Sequence, residues 1–211
     1  MDSATGAILF TSFFILLPLV FLLVYYLNRN KKVDTTQREI SDRDLLHLLH
    51  NHPGGLLTAK EIAEKAGLTM AQTRSRLSFF AEQLIVRRGS NGLAYYYELY
   101  APIEDVGQLE LSPEPFLTVA DLQKIFRAYD YRVSPIDLIA ATGLPWRILA
   151  REMKHFKKKG VIDILRIARP GDSYRQYVLK EPYIDLPESS NEAMALDLEM
   201  KEILLDENLL V

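Results

Sequence analysis

The sequence contains no cysteine. Disulfides, thiolate catalysis and cysteine-ligated zinc are therefore excluded. Histidine is scarce. His47, His50 and His52 sit together in LLHLLHNHPGG, and His155 stands far off. Few acidic ligands lie near the trio, so it reads as a solvated helix end, and no metal site is expected. There is no phosphate-binding glycine loop, no nucleophile beside a partnered base, and no carboxylate pair in a legible context. Neither an enzyme nor a cofactor is expected. The chain also lacks a strong overall charge, at −3 for 211 residues, but the distribution of that charge is uneven.

What is present begins with an uncharged run. From Ile8 to Leu27 the chain reads ILFTSFFILLPLVFLLVYYL. A helix of that length rises ~30 Å, the thickness of a bilayer core. A signal peptide needs a positive leader and a small-residue cleavage site, and neither is there. Arg29, Lys31 and Lys32 follow the run directly. The positive-inside rule then predicts a single-pass cell-membrane anchor over 1–28, in contact with lipid, with the N-terminus outside and the C-terminus cytoplasmic. Residues 29–40 read as a polar tether.

Two later stretches repeat one another at an offset of 76 residues. In the second, Ser134 is a helix N-cap with Asp137 three residues on, Pro135 suits the first helical turn, and Gly143 closes the helix. Leu144 is the plug of the turn. Leu149, Met153 and Phe156 are the apolar positions of the next helix, and Gly160 ends it before a strand at Val161. In the first stretch Thr58, Glu61, Gly67, Leu68, Leu77, Phe80 and Ile85 occupy the matching places. Cap, turn and core positions coincide, so the repeat is structural. A hairpin turn is signalled at Gly89-Ser90-Asn91-Gly92.

Both copies resemble winged helix-turn-helix domains, a superfamily common among bacterial and archaeal transcription regulators. The resemblance covers 41–100 and 116–183, separated by an acidic linker at 101–115 and followed by an acidic tail at 184–211. The expected fold is α+β and mainly α: one transmembrane helix, two winged-helix domains and a short C-terminal helix.

Charge separates the copies. Residues 41–100 carry seven basic and six acidic side chains, a net of +1, whereas 116–183 carry thirteen and seven, a net of +6. The tail sets eight acids against one lysine, a net of −7. A cationic domain of this kind is the electrostatic footprint of a DNA-binding surface. By analogy with winged-helix readers, the third helix of the second copy would offer Trp146, Arg147, Arg151, Lys154, Lys157 and Lys158. Its wing would offer Arg166, Arg169 and Arg175. In the first copy only Arg74 occupies such a position.

Other residues point to protein partners. Tyr96 and Tyr100 lie on the face of the first wing opposite Tyr95, Tyr97 and Leu99. In the tail, Leu196, Met200 and Ile203 share a helical face with Ala193 and Leu204, for docking on the second copy, a homodimer or a partner helix. The expectation is a membrane-anchored, cytoplasm-facing DNA-binding protein, a tethered transcription regulator using its second winged helix. The alternative is a scaffold subunit whose winged helices bind proteins within a membrane complex.

Overall fold

The computed structural model describes residues 39–107, 109–169 and 172–208, together with Leu17, Pro18 and Val20. The described chain is α+β, with seven helices and two small sheets.

The first copy runs α1 (Asp42–His50), β1 (Leu57–Thr58), α2 (Ala59–Ala66), α3 (Met70–Glu82), β2 (Val86–Ser90) and β3 (Tyr95–Leu99). Its sheet has the order β1-β3-β2, antiparallel throughout, with Leu57 opposite Tyr97 and Val86 opposite Leu99. The second copy runs α4 (Val119–Ala128), α5 (Pro135–Thr142), α6 (Trp146–Lys158), β4 (Ile162–Arg169) and β5 (Asp172–Leu179). Here the short strand before α5 is reduced to one bridge, Val133 to Tyr177. A last helix, α7 (Asn191–Asn208), follows.

Local chemistry accounts for these boundaries. Thr58 with Glu61, Thr69 with Gln72, Thr118 with Asp121 and Ser134 with Asp137 all form reciprocal capping boxes. Each box satisfies two backbone donors that a helix start leaves without partners. Gly67 and Gly143 end α2 and α5 in the left-handed conformation, at φ 69° and 70°, which costs glycine nothing for want of a Cβ.

The copies share one core. Leu46, Leu77 and Phe80 of the first and Leu138, Trp146 and Phe156 of the second belong to the same buried cluster. Polar contacts cross between the copies as well. Arg43 of α1 donates to the Ala140 carbonyl (2.7 Å) at the C-terminal end of α5, where a cation suits the helix dipole. A Cβ on Gly143 would lie 3.0 Å from that guanidinium carbon.

The membrane anchor is corrected. Among the described residues no helix is long and apolar enough to cross a membrane. The 18-residue α7 carries six acidic side chains, and burying such charge in hydrocarbon is prohibitive. The single-pass orientation and the lipid contact rested on the apolar run. Of that run only Leu17, Pro18 and Val20 are described, all helical; its remainder lies outside the described residues.

Candidate nucleic-acid interface

The start of α6 is built from both copies. Pro145 stands at its N-cap and makes no side-chain cap bond. The missing acceptor comes from Asp42 of α1, whose Oδ2 accepts the Trp146 N–H at 2.7 Å, from 104 positions away. The other carboxylate oxygen, Oδ1, accepts from Arg76 of α3. Both side chains of this ion pair are fully buried. Arg76 also donates to the Ile40 carbonyl (2.7 Å). One carboxylate thus neutralises a buried guanidinium and caps the helix of the other copy.

Trp146 cannot contact DNA, which corrects its assignment. Its side chain is fully buried, and its ring lies 6.5 Å from that of Tyr177. An indole is largely apolar and anchors the turn that an exposed ring would leave open. The N-terminal end of α6 is likewise occupied by Asp42 and is not free for a phosphate.

The flank of α6 is a different surface. Arg147, Lys154, Lys157 and Lys158 are exposed and Arg151 is half-buried. The only acid on the helix, Glu152, is fully buried. Its Oε2 accepts the Leu117 N–H at 3.1 Å, and its Oε1 has no hydrogen-bond partner among the described residues. Burial pushes this carboxyl up to about 7, against the smaller opposing effects of the Leu117 hydrogen bond and the Arg151 charge. The aliphatic stems of Arg151, Lys154, Lys157 and Lys158 line a shallow groove beside His155.

The wing contributes less than its arginines promise. Arg166 on β4 is exposed. Arg175 on β5 is half-buried and donates to Gln83 Oε1 (3.3 Å) at the end of α3, so it also joins the two copies. The Arg169 side chain lies outside the described residues. At the far end of α6, Glu199 of α7 pairs with Lys159 (2.6 Å) and lies 3.5 Å from His155. Burial lowers the His155 pKa, outweighing the Glu199 charge that raises it.

Of the alternatives for the tail, docking on the second copy holds and the partner assignment is corrected. Leu196 and Met200 are buried with Ala193 in the core, and α7 packs on α4. These residues therefore cover the chain's own second copy and are not offered to a partner; Ile203 is half-buried. Asp197 reinforces the dock, its Oδ1 accepting the Val119 N–H at 2.9 Å on the first turn of α4.

In the first copy Arg74 is exposed, while Tyr96 and Tyr100 are half-buried. The most exposed tyrosine of that wing is Tyr95, which sequence reasoning placed on the other face. Period-two alternation does put Tyr95 on the side of buried Tyr97, but Tyr95 lies at the turn end, beyond the core. His50 Nδ1 accepts the Ile103 N–H (3.3 Å) and so fastens the linker to α1.

No protein-family model matches the chain, and no curated protein sequence matches it either.

Proposed function

We propose that the chain is a DNA-binding protein made of two winged-helix copies, in which the flank of α6 and the β4–β5 hairpin of the second copy face the duplex. One observation carries the reading: every charged side chain that α6 exposes is basic, because its one acid is buried. Arg147, Arg151 and Lys154 recur at helical spacing along one side. This flank, and not the capped N-terminus, meets the groove. Lys157, Lys158 and Arg166 meet neighbouring phosphates.

Binding by such a surface releases condensed counterions, and log affinity falls with log salt by about 0.9 per phosphate neutralised. Four to six contacts from these side chains give a slope of about −4 to −5. Titrating the chain with random and genomic duplexes at two salt concentrations tests this. A flat salt response removes the proposal. A second reading, a scaffold that binds protein, draws on the apolar surface that the first wing exposes.

A further inference from the structure

The four most exposed large apolar side chains among the described residues form two patches. Leu93 (96% exposed) and Tyr95 (55%) stand at the β2–β3 turn; Met194 (55%) and Leu198 (61%) stand on α7.

The turn is held rigidly by its own hydrogen bonds. Asn91 Oδ1 accepts the N–H groups of Leu93 (3.0 Å) and Ala94 (2.9 Å), and Ser90 Oγ accepts that of Gly92 (3.1 Å). The Asn91 N–H donates to the Ala94 carbonyl at 3.3 Å. A leucine presented on so ordered a turn loses little conformational freedom when it is bound. Beside it the Arg88 guanidinium lies 4.7 Å from the centroid of the Tyr95 ring, a cation–π pair of the residue types that dominate binding hot spots.

The second patch is the outer face of α7. Its inner face is taken up against α4. Outside, Met194 and Leu198 are one helical turn apart and Ala195 is exposed between them, a continuous apolar strip. Glu202, one turn further, is exposed on the same side.

The charges of the patches are opposite. Arg88 stands beside the turn, its neighbour Arg87 being paired with Glu98 (2.7 Å), and α7 carries six acids against one lysine. Turn against turn, or α7 against α7, sets like charges together; turn against α7 sets opposite ones.

We propose that copies of this chain associate head to tail, with Leu93 and Tyr95 of one seated on Met194, Ala195 and Leu198 of the next. Arg88 then faces Glu202. Such a contact is heterologous and propagates into a ring or an open row. Both patches are small, so the association grows with concentration and does not form a fixed dimer. It does not depend on the DNA reading.

Sedimentation of the full chain over a wide concentration range tests it. The wild-type mass climbs above 24.2 kDa, and Leu93→Ala or Leu198→Glu each weakens association at least tenfold. Mixing the two variants is the sharper measurement, because one supplies an intact turn and the other an intact α7. Donor-labelled Leu198→Glu and acceptor-labelled Leu93→Ala show energy transfer above that of either variant with itself, and their complex stops at two chains. Arg88→Glu weakens wild-type association, and adding Glu202→Lys restores it. Association unchanged by both apolar substitutions overturns the proposal. So does a dimer lost in Leu198→Glu but kept in Leu93→Ala, which would be α7 pairing with itself. A wild-type chain that stays monomeric at every concentration overturns it as well.

Discussion

The third helices of the two copies, α3 and α6, are each 13 residues long, and each buries one charged side chain near its middle. The two occupy matching places in the repeat, Arg76 in one and Glu152 in the other. Each reaches the residue just before the N-cap of its copy's first helix: Arg76 donates to the Ile40 carbonyl, and Glu152 accepts from the Leu117 N–H. The bridge is the same with donor and acceptor exchanged. Its electrostatics differ. Arg76 has a buried counterion in Asp42, whereas Glu152 has an oxygen without a partner among the described residues and a raised pKa. The exposed faces differ in turn. The only basic side chain exposed on α3 is Arg74, whereas α6 exposes a basic row. An architecture that is repeated can therefore serve one copy as a docking surface for its neighbour and the other as a cationic face.

The largest test of this contrast is Asp42→Ala. It strands the Arg76 charge in the core and uncaps α6. Breaking a buried pair by removing one partner costs about 3–5 kcal/mol, and losing a cap adds on the order of 1 kcal/mol. Denaturant unfolding should show one cooperative transition, shifted down for both copies together. Two transitions, with the second copy's unchanged, would mean that the copies fold independently.

Next come the exposed rows. Arg147→Ala with Arg151→Ala should weaken duplex binding by about 2–5 kcal/mol if both reach bases. Arg74→Ala should change it by less than about 1 kcal/mol, since little positive charge surrounds it. Equal losses in an anisotropy titration would erase the distinction between the copies.

Glu152 gives a pH test. Its carboxyl titrates at about 7 in the fold and lower when unfolded. The folded state therefore binds the extra proton. This contribution is complete below the unfolded pKa and is lost as pH rises through about 7. Glu152→Gln keeps an acceptor for the Leu117 N–H and removes that slope. It should raise stability at pH 8 by on the order of 2–3 kcal/mol. A variant whose stability runs parallel to wild type from pH 4 to 8 would contradict the raised pKa.

The smallest effect concerns Glu199. Glu199→Gln releases Lys159 and leaves His155 without its neighbouring charge, so duplex affinity at low salt should rise roughly twofold. No rise would mean that the C-terminal end of α6 lies outside the interface.

The elements that depend on near neighbours were legible in the sequence. Thr58 and Ser134 cap the helices that their spacing predicts, Gly67 and Gly143 end them, and the Gly89-to-Gly92 signal marks the hairpin. What depends on distant residues was not. Nothing near Pro145 announces that Asp42 caps its helix, and Arg76 reads as one more surface arginine until α1 buries it. The burial of Trp146 beside Tyr177 is likewise unannounced by its own stretch. The amphipathic face at Leu196 and Met200 was visible, but an apolar stripe does not name what covers it. The candidate site was half legible for that reason: spacing brought out the basic flank of α6, while the closure of its N-terminus came from another part of the chain.

Asp42 also implies an order of assembly. Its bonds to Arg76 close within the first copy, across 34 residues, whereas its bond to Trp146 waits for a segment 104 positions on. A chain made from its N-terminus completes the first pair while α6 is still unsynthesised. The first copy then presents a ready acceptor, and α6 gains its missing cap only on docking there. The N-terminal copy is thus a template on which the basic helix of its neighbour is completed.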